Sequence, residues 1–121
     1  RRVPTNTPLQ ALVTMNDPTY IEASRSMAAR ILSKVDTSPR DRVRKAFLMS
    51  TGRWPDKGET SILLEALSEM KRSFQEDPDA ARALLLVGNF IAGDEHEPVE
   101  LAAYTSLMSL ILNLDETLTK G

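Results

Sequence analysis

Three short stretches of this 121-residue sequence hold side chains whose types and spacing suit chemistry. Asp94-Glu95-His96-Glu97 contains the only histidine, and an imidazole among carboxylates is a donor set for a metal ion. No second histidine is present and the spacing fits no metal motif, so a solvated loop is the plainer reading. Asp115-Glu116 follows a long apolar run, at what reads as a helix C-terminus. Carboxylates there are opposed by the helix dipole and call for a cationic or amide partner. The opening stretch offers such partners in Arg2, Asn6 and Gln10, with Arg1 beside them and Arg53 further along. The candidate polar cluster is therefore Arg2, Asn6, Gln10, Arg53, Asp115 and Glu116. Its plainer role is structural, tying the two ends of the chain together; general acid or base chemistry at the carboxylates is the alternative. No nucleophile elbow, phosphate-cradling glycine loop or zincin motif occurs, so no catalytic residue and no metal ligand is assigned.

The elements that would position these groups are helices, and their starts are marked repeatedly. Thr7-Pro8, Asp17-Pro18, Ser38-Pro39 and Asp77-Pro78 each place a capping side chain before a proline at the first helical position. Glu97-Pro98 is a weaker version, and Asp56-Lys57-Gly58-Glu59 is a capping box. Six starts leave little room for strands, which predicts an all-α compact bundle of about six helices. Their expected spans are Pro8 to about Met15, Pro18 to Val35, Pro39 to Thr51, Lys57 to Glu76, Pro78 to Val87, and Pro98 to Leu112. Gly52 is the expected C-cap of the third.

Apolar spacing assigns the faces. In the second helix Tyr20, Ser24, Met27, Ile31 and Val35 line the inner side, while Glu22, Arg25 and Arg30 are expected mostly towards solvent. Arg40, Asp41, Arg42, Arg44 and Lys45 place positive charge early in the third helix, against its dipole, which implies acidic neighbours. That run reads as a solvated face, with an acidic-partner or phosphate patch as the alternative. Trp54, between two helices, is expected to cap the core, with a ligand platform as the alternative. Leu63, Ala66, Leu67, Met70 and Phe74 form the inner stripe of the fourth helix, and Phe90 and Ile91 are expected to return to the core from a loop. The last helix is apolar nearly all round, with a narrow polar strip at Thr105, Ser106 and Ser109. It is therefore expected to be the buried, central helix, terminating in Asn113-Leu114-Asp115-Glu116, with Thr117-Leu118-Thr119-Lys120 as a last short turn.

Composition limits the function classes. Hydrophobic residues make up 41% and charged residues 26%, as in an ordinary globular chain. The net charge of −2 and the absence of a dominant basic stripe argue against nucleic acid as a partner. There is no cysteine, which rules out thiolate chemistry, disulfides and covalent haem attachment within this chain; no cofactor is expected in it. No apolar run approaches the roughly eighteen residues of a membrane span. A start at Arg-Arg without Met reads as part of a longer protein.

The stretch Arg2-Val3-Pro4-Thr5-Asn6-Thr7-Pro8-Leu9-Gln10-Ala11-Leu12, with Asn16-Asp17-Pro18, Ala46-Phe47, Gly52-Arg53, Pro55 and Leu112-Asn113-Leu114-Asp115-Glu116, resembles the C-terminal part of the planctomycete-specific domain of unknown function 1553. The resemblance covers nearly the whole chain in order. It implies a single helical module over residues 1–121, the C-terminal part of a larger domain. It also implies a large exported or periplasmic protein with a c-type cytochrome domain upstream, and a link to polysaccharide breakdown. The family supplies no catalytic residues. Two readings stay open: a non-catalytic structural or interaction module, or part of an enzyme or redox-partner site completed by upstream sequence. The expected partners are the upstream domains, the cytochrome domain among them, or a second copy through an exposed apolar face.

Overall fold

The computed structural model describes residues 18–34, 37–86 and 97–120, with side chains at 21–34, 37–86 and 97–113. Among the described residues five helices and no strand are present: α1 (Pro18–Leu32), α2 (Pro39–Thr51), α3 (Lys57–Glu76), α4 (Pro78–Leu85) and α5 (Pro98–Lys120). The all-α expectation holds. The expected helix from Pro8 to Met15 lies outside the described residues, as do Phe90 and Ile91.

Capping chemistry sets most of the boundaries. The Ser38 hydroxyl accepts from the Asp41 N–H at 3.1 Å, and Gly52, at φ 83°, closes α2 by donating its N–H to the Leu48 carbonyl at 2.9 Å. That left-handed conformation suits glycine, which has no Cβ to clash. At α3 the Asp56 carboxylate accepts from Glu59 N–H at 2.7 Å, and Glu59 accepts from Asp56 N–H at 3.0 Å. Asp77 works in both directions. Its own N–H donates to the Ser73 carbonyl at 3.1 Å, and its carboxylate accepts from Ala80 N–H at 3.2 Å, so α3 turns into α4 on one residue. Glu97 holds the start of α5, accepting from Val99 N–H at 2.8 Å and Glu100 N–H at 3.2 Å.

Three ends differ from expectation. Helix α4 stops at Leu85 rather than Val87, where the Leu86 N–H donates to the Arg82 and Ala83 carbonyls at 3.2 Å. Helix α1 stops at Leu32 rather than Val35: the Ser33 hydroxyl donates to the Ala29 carbonyl at 2.8 Å, sharing the acceptor of its own N–H, and Thr37 donates to the Lys34 carbonyl at 2.8 Å. These side-chain bonds compete with the helical ladder. Helix α5 runs on to Lys120 instead of terminating in Asn113-Leu114-Asp115-Glu116. Asn is a poor helix former but no breaker, and neither Gly nor Pro stands between it and Lys120. Asp115 and Glu116 thus lie within a helix, more than a turn before its end.

Helix α5 is the centre of the bundle. It packs against α1, α2, α3 and α4, most extensively against α1. Every residue from Leu101 to Ser109 is buried, the expected polar strip included. Ile21, Ala28, Ile31 and Leu32 of α1 share one core with Val43 and Ala46 of α2, Leu63, Leu67, Met70 and Phe74 of α3, and Ala81, Leu84 and Leu85 of α4. Burying each large side chain such as Leu107 or Ile111 stabilises the fold by about 1.5–3 kcal/mol. Among the described residues the buried Ser24, Ser106 and Ser109 hydroxyls find no hydrogen-bond partner, whereas Thr105 donates to the Leu101 carbonyl at 2.7 Å.

Candidate functional site

Of the expected polar cluster, Arg53 alone has a described side chain; Arg2, Asn6 and Gln10, and the side chains of Asp115 and Glu116, lie outside the described ones, as does His96. Arg53 forms a two-pronged pair with Glu59, at 2.8 and 3.0 Å, donates to the Trp54 carbonyl at 3.3 Å, and lies 4.9 Å over the Phe47 ring. Its interactions do not end there. Glu59 therefore serves the capping box and the arginine at once. The Arg53 hydrogen bond, then the Asp56 N–H, lowers its carboxyl to about 2.

Trp54 is 52% exposed, so it does not cap the core. The buried residue of that connection is Pro55, and Arg44 lies 5.0 Å over the indole. The connection after Gly52 buries Pro55 and leaves Trp54 exposed, lining a groove between α1 and α2. This groove, of about 480 Å³, is lined by Arg30, Ile31, Lys34, Thr37, Asp41, Arg42, Arg44, Lys45, Met49 and Trp54. Five cations thus face one acid. Among the described residues Arg42 is the one of the five that pairs with a carboxylate. In the basic run of α2, Arg40, Asp41 and Lys45 are exposed, as a solvated face requires, and Asp41, Arg42, Arg44 and Lys45 also form one wall of this groove. Arg30 and Lys34 on the facing wall were not grouped with it, because the two sets belong to different helices.

Behind this wall Arg42 turns inwards. Its Nη1 is 3.4 Å from Glu100 Oε2, which also lies 3.7 Å from Lys71 Nζ. Both cations sit over the buried Tyr104 ring, at 5.9 and 5.7 Å. Burial raises the Tyr104 hydroxyl pKa, and Arg42 beside it works the other way. Arg42 Nε donates to Thr37 Oγ1 at 3.1 Å. Glu100 is the acidic neighbour that the charges of α2 implied, and the junction ties α2, α3 and α5 together.

Arg25 corrects a further expectation. Expected towards solvent, it is 2% exposed and donates from Nη1 to the Leu85 carbonyl at 3.1 Å, at the end of α4. An arginine there complements the negative end of the helix dipole. Desolvation lowers its pKa, with the Glu22 charge opposing. The spacing contained the signal: position 25 is four after Ile21 and three before Ala28, on the same inner face.

Among the described residues no group of three His, Asp or Glu side chains is placed to hold a metal ion, and no helix is long and apolar enough to cross a membrane. No curated protein and no solved structure matches the chain. A family model described as PSD1, protein of unknown function (DUF1553), matches residues 1–67, more than half of the 121. The match takes in α1, the groove and the Arg53–Glu59 pair, and by it the chain belongs to the DUF1553 family.

Proposed function

We propose that the chain is a non-catalytic helical structural and interaction module, the C-terminal part of a larger domain in an exported, cytochrome-c-associated planctomycete protein linked to polysaccharide breakdown. The observation that supports the non-catalytic reading is the structural use made of five of the described acids. Asp56, Asp77 and Glu97 cap helices, Glu59 caps and pairs with Arg53, and Glu100 holds Arg42 and Lys71. Carboxylates engaged in this way are committed to holding the fold, whereas a catalytic acid or base must face a reacting atom. The exported location, the cytochrome association and the polysaccharide link rest on the resemblance of the opening motif. In this reading the haem belongs to an upstream domain, and the module's partners are the domains that precede it.

The test is to express the full-length protein with and without residues 18–120 and to measure haem content and activity on sulfated polysaccharides. Unchanged turnover per haem, with lowered stability or a lost domain contact, is the expected result. A turnover abolished by removal of the module, with the remaining domains still folded, overturns the reading in favour of an enzyme or redox-partner site that this chain completes.

A further inference from the structure

The groove between α1 and α2 has a composition that capping and core packing do not use. Arg30, Lys34, Arg44 and Lys45 line it without a carboxylate partner among the described residues. Among the described residues Arg42, Arg53, Lys71, Arg72 and Arg82 are paired, while outside the groove Arg40 and Lys57 stand singly rather than gathered in one concave surface. Like charges gathered on two facing walls repel one another, and an anion between them relieves that repulsion. The lining is not purely ionic. Ile31 and Met49 contribute apolar surface among the charges, and the exposed Trp54 lines the groove as well, with the Arg44 guanidinium 5.0 Å from its indole. Arginine, methionine and tryptophan around an apolar centre are the residue types enriched where proteins bind one another.

We infer that this groove docks an acidic segment of a protein, with carboxylates against the cations and one apolar side chain seated on Met49 and Trp54. The inference rests on the interaction-module reading above and names the chemistry of its partner. A neutral sugar is the poorer occupant, because it brings no negative charge to the gathered cations. A nucleic acid is poorer still, because the chain carries 17 acidic against 15 basic residues and its net charge of −2 repels a polyanion at long range.

The test measures binding of the full chain to three fluorescent probes: a short peptide alternating glutamate with leucine, an all-glutamate peptide of equal length, and a heparin hexasaccharide. The glutamate–leucine peptide should bind about tenfold more tightly than the all-glutamate one, and its binding should weaken with added salt. Lys34→Glu with Lys45→Glu should lower that affinity about tenfold, and Trp54→Ala about fivefold, as losses at the centre of an interface do. Arg72→Glu, on the exposed side of α3, should leave it unchanged. All these positions except Trp54 carry exposed charges, and an unchanged circular dichroism spectrum checks that each variant folds. Absence of peptide binding, or heparin binding more tightly than the peptide with no effect of Trp54→Ala, overturns the inference. These outcomes are separable from the fate of the non-catalytic reading, which is decided by turnover: peptide binding together with lost turnover on module removal would overturn that reading and leave the docking site standing.

Discussion

Arg42 and Lys45 stand three residues apart on α2 and belong to two different regions. Arg42 lies in the junction with Glu100, Lys71 and Tyr104, with a side chain only 14% exposed. Lys45 stands exposed on the wall of the groove, without a carboxylate partner among the described residues. Both are cations, and both oppose or complement the same helix dipole. What separates them is the direction each faces: Arg42 meets α5, which supplies a carboxylate and an aromatic ring, whereas Lys45 lines the groove with Arg30, Lys34, Arg44 and the lone acid Asp41. The junction is a closed set of charges that holds three helices; the groove is an open set that holds none. Charge in this protein stabilises where a neighbouring helix supplies its counterpart, and otherwise is available to a partner.

The comparison can be broken by substitutions that remove cations from either kind of place. The largest effect is expected at Arg25, the most deeply buried engaged cation described. Arg25→Ala leaves the Leu85 carbonyl without its donor and opens space beside α4, a loss of about 2–4 kcal/mol. Urea unfolding should show a lower midpoint at an unchanged slope. An effect as small as that of a groove variant would mean that burial of a cation does not matter here.

Glu100→Gln should come next. It leaves Arg42 and Lys71 facing each other without a counter-charge, and because the Glu100 side chain is 36% exposed the cost is held to about 1 kcal/mol. Repeating the measurement at high salt should shrink the difference, since screening weakens both the attraction and the repulsion. Lys34→Gln and Lys45→Gln should change stability by less than about 0.5 kcal/mol, in the direction of a gain, because they relieve like-charge crowding and break no pair. A loss comparable to that of Glu100→Gln would show that the groove cations are engaged after all.

The smallest effect sharpens the comparison through pH. Glu59 is held at about 2, below its unfolded value, by Arg53 and the Asp56 N–H. A lowered carboxyl contributes stability that is fully present above the unfolded value of about 4.3 and is lost as pH falls through the folded one. Thermal unfolding between pH 5 and 2 should therefore fall less steeply for Glu59→Gln than for the unaltered chain. Equal slopes would mean that the pair does not outlast solvent at this exposed site.

Much of the architecture was legible before any coordinates. The bounds of α2 and α3 and the cap at Gly52 follow from side chains within one turn of the residues they serve, and the buried central helix follows from an apolar surface that extends nearly all round. Where the reading failed, local chemistry was a poor guide. Asn113 suggested an end that α5 does not have, and a tryptophan beside a buried proline suggested burial for the wrong residue of the two. Arg25 was assigned by its charge, although its spacing placed it with Ile21 and Ala28. The groove could not be foreseen as a unit, since its walls come from two helices whose facing is set by packing on α5.

The chain by itself therefore determined its helical class, most helix starts and the identity of its central helix. Capping and amphipathic spacing act over a few residues, and their geometry is the same wherever a helix forms. Only the tertiary structure decided which of its cations would be buried, paired or left open to a partner. That outcome depends on what each helix face meets across the bundle: Glu100 for Arg42, the end of α4 for Arg25, and a second row of cations for Lys45.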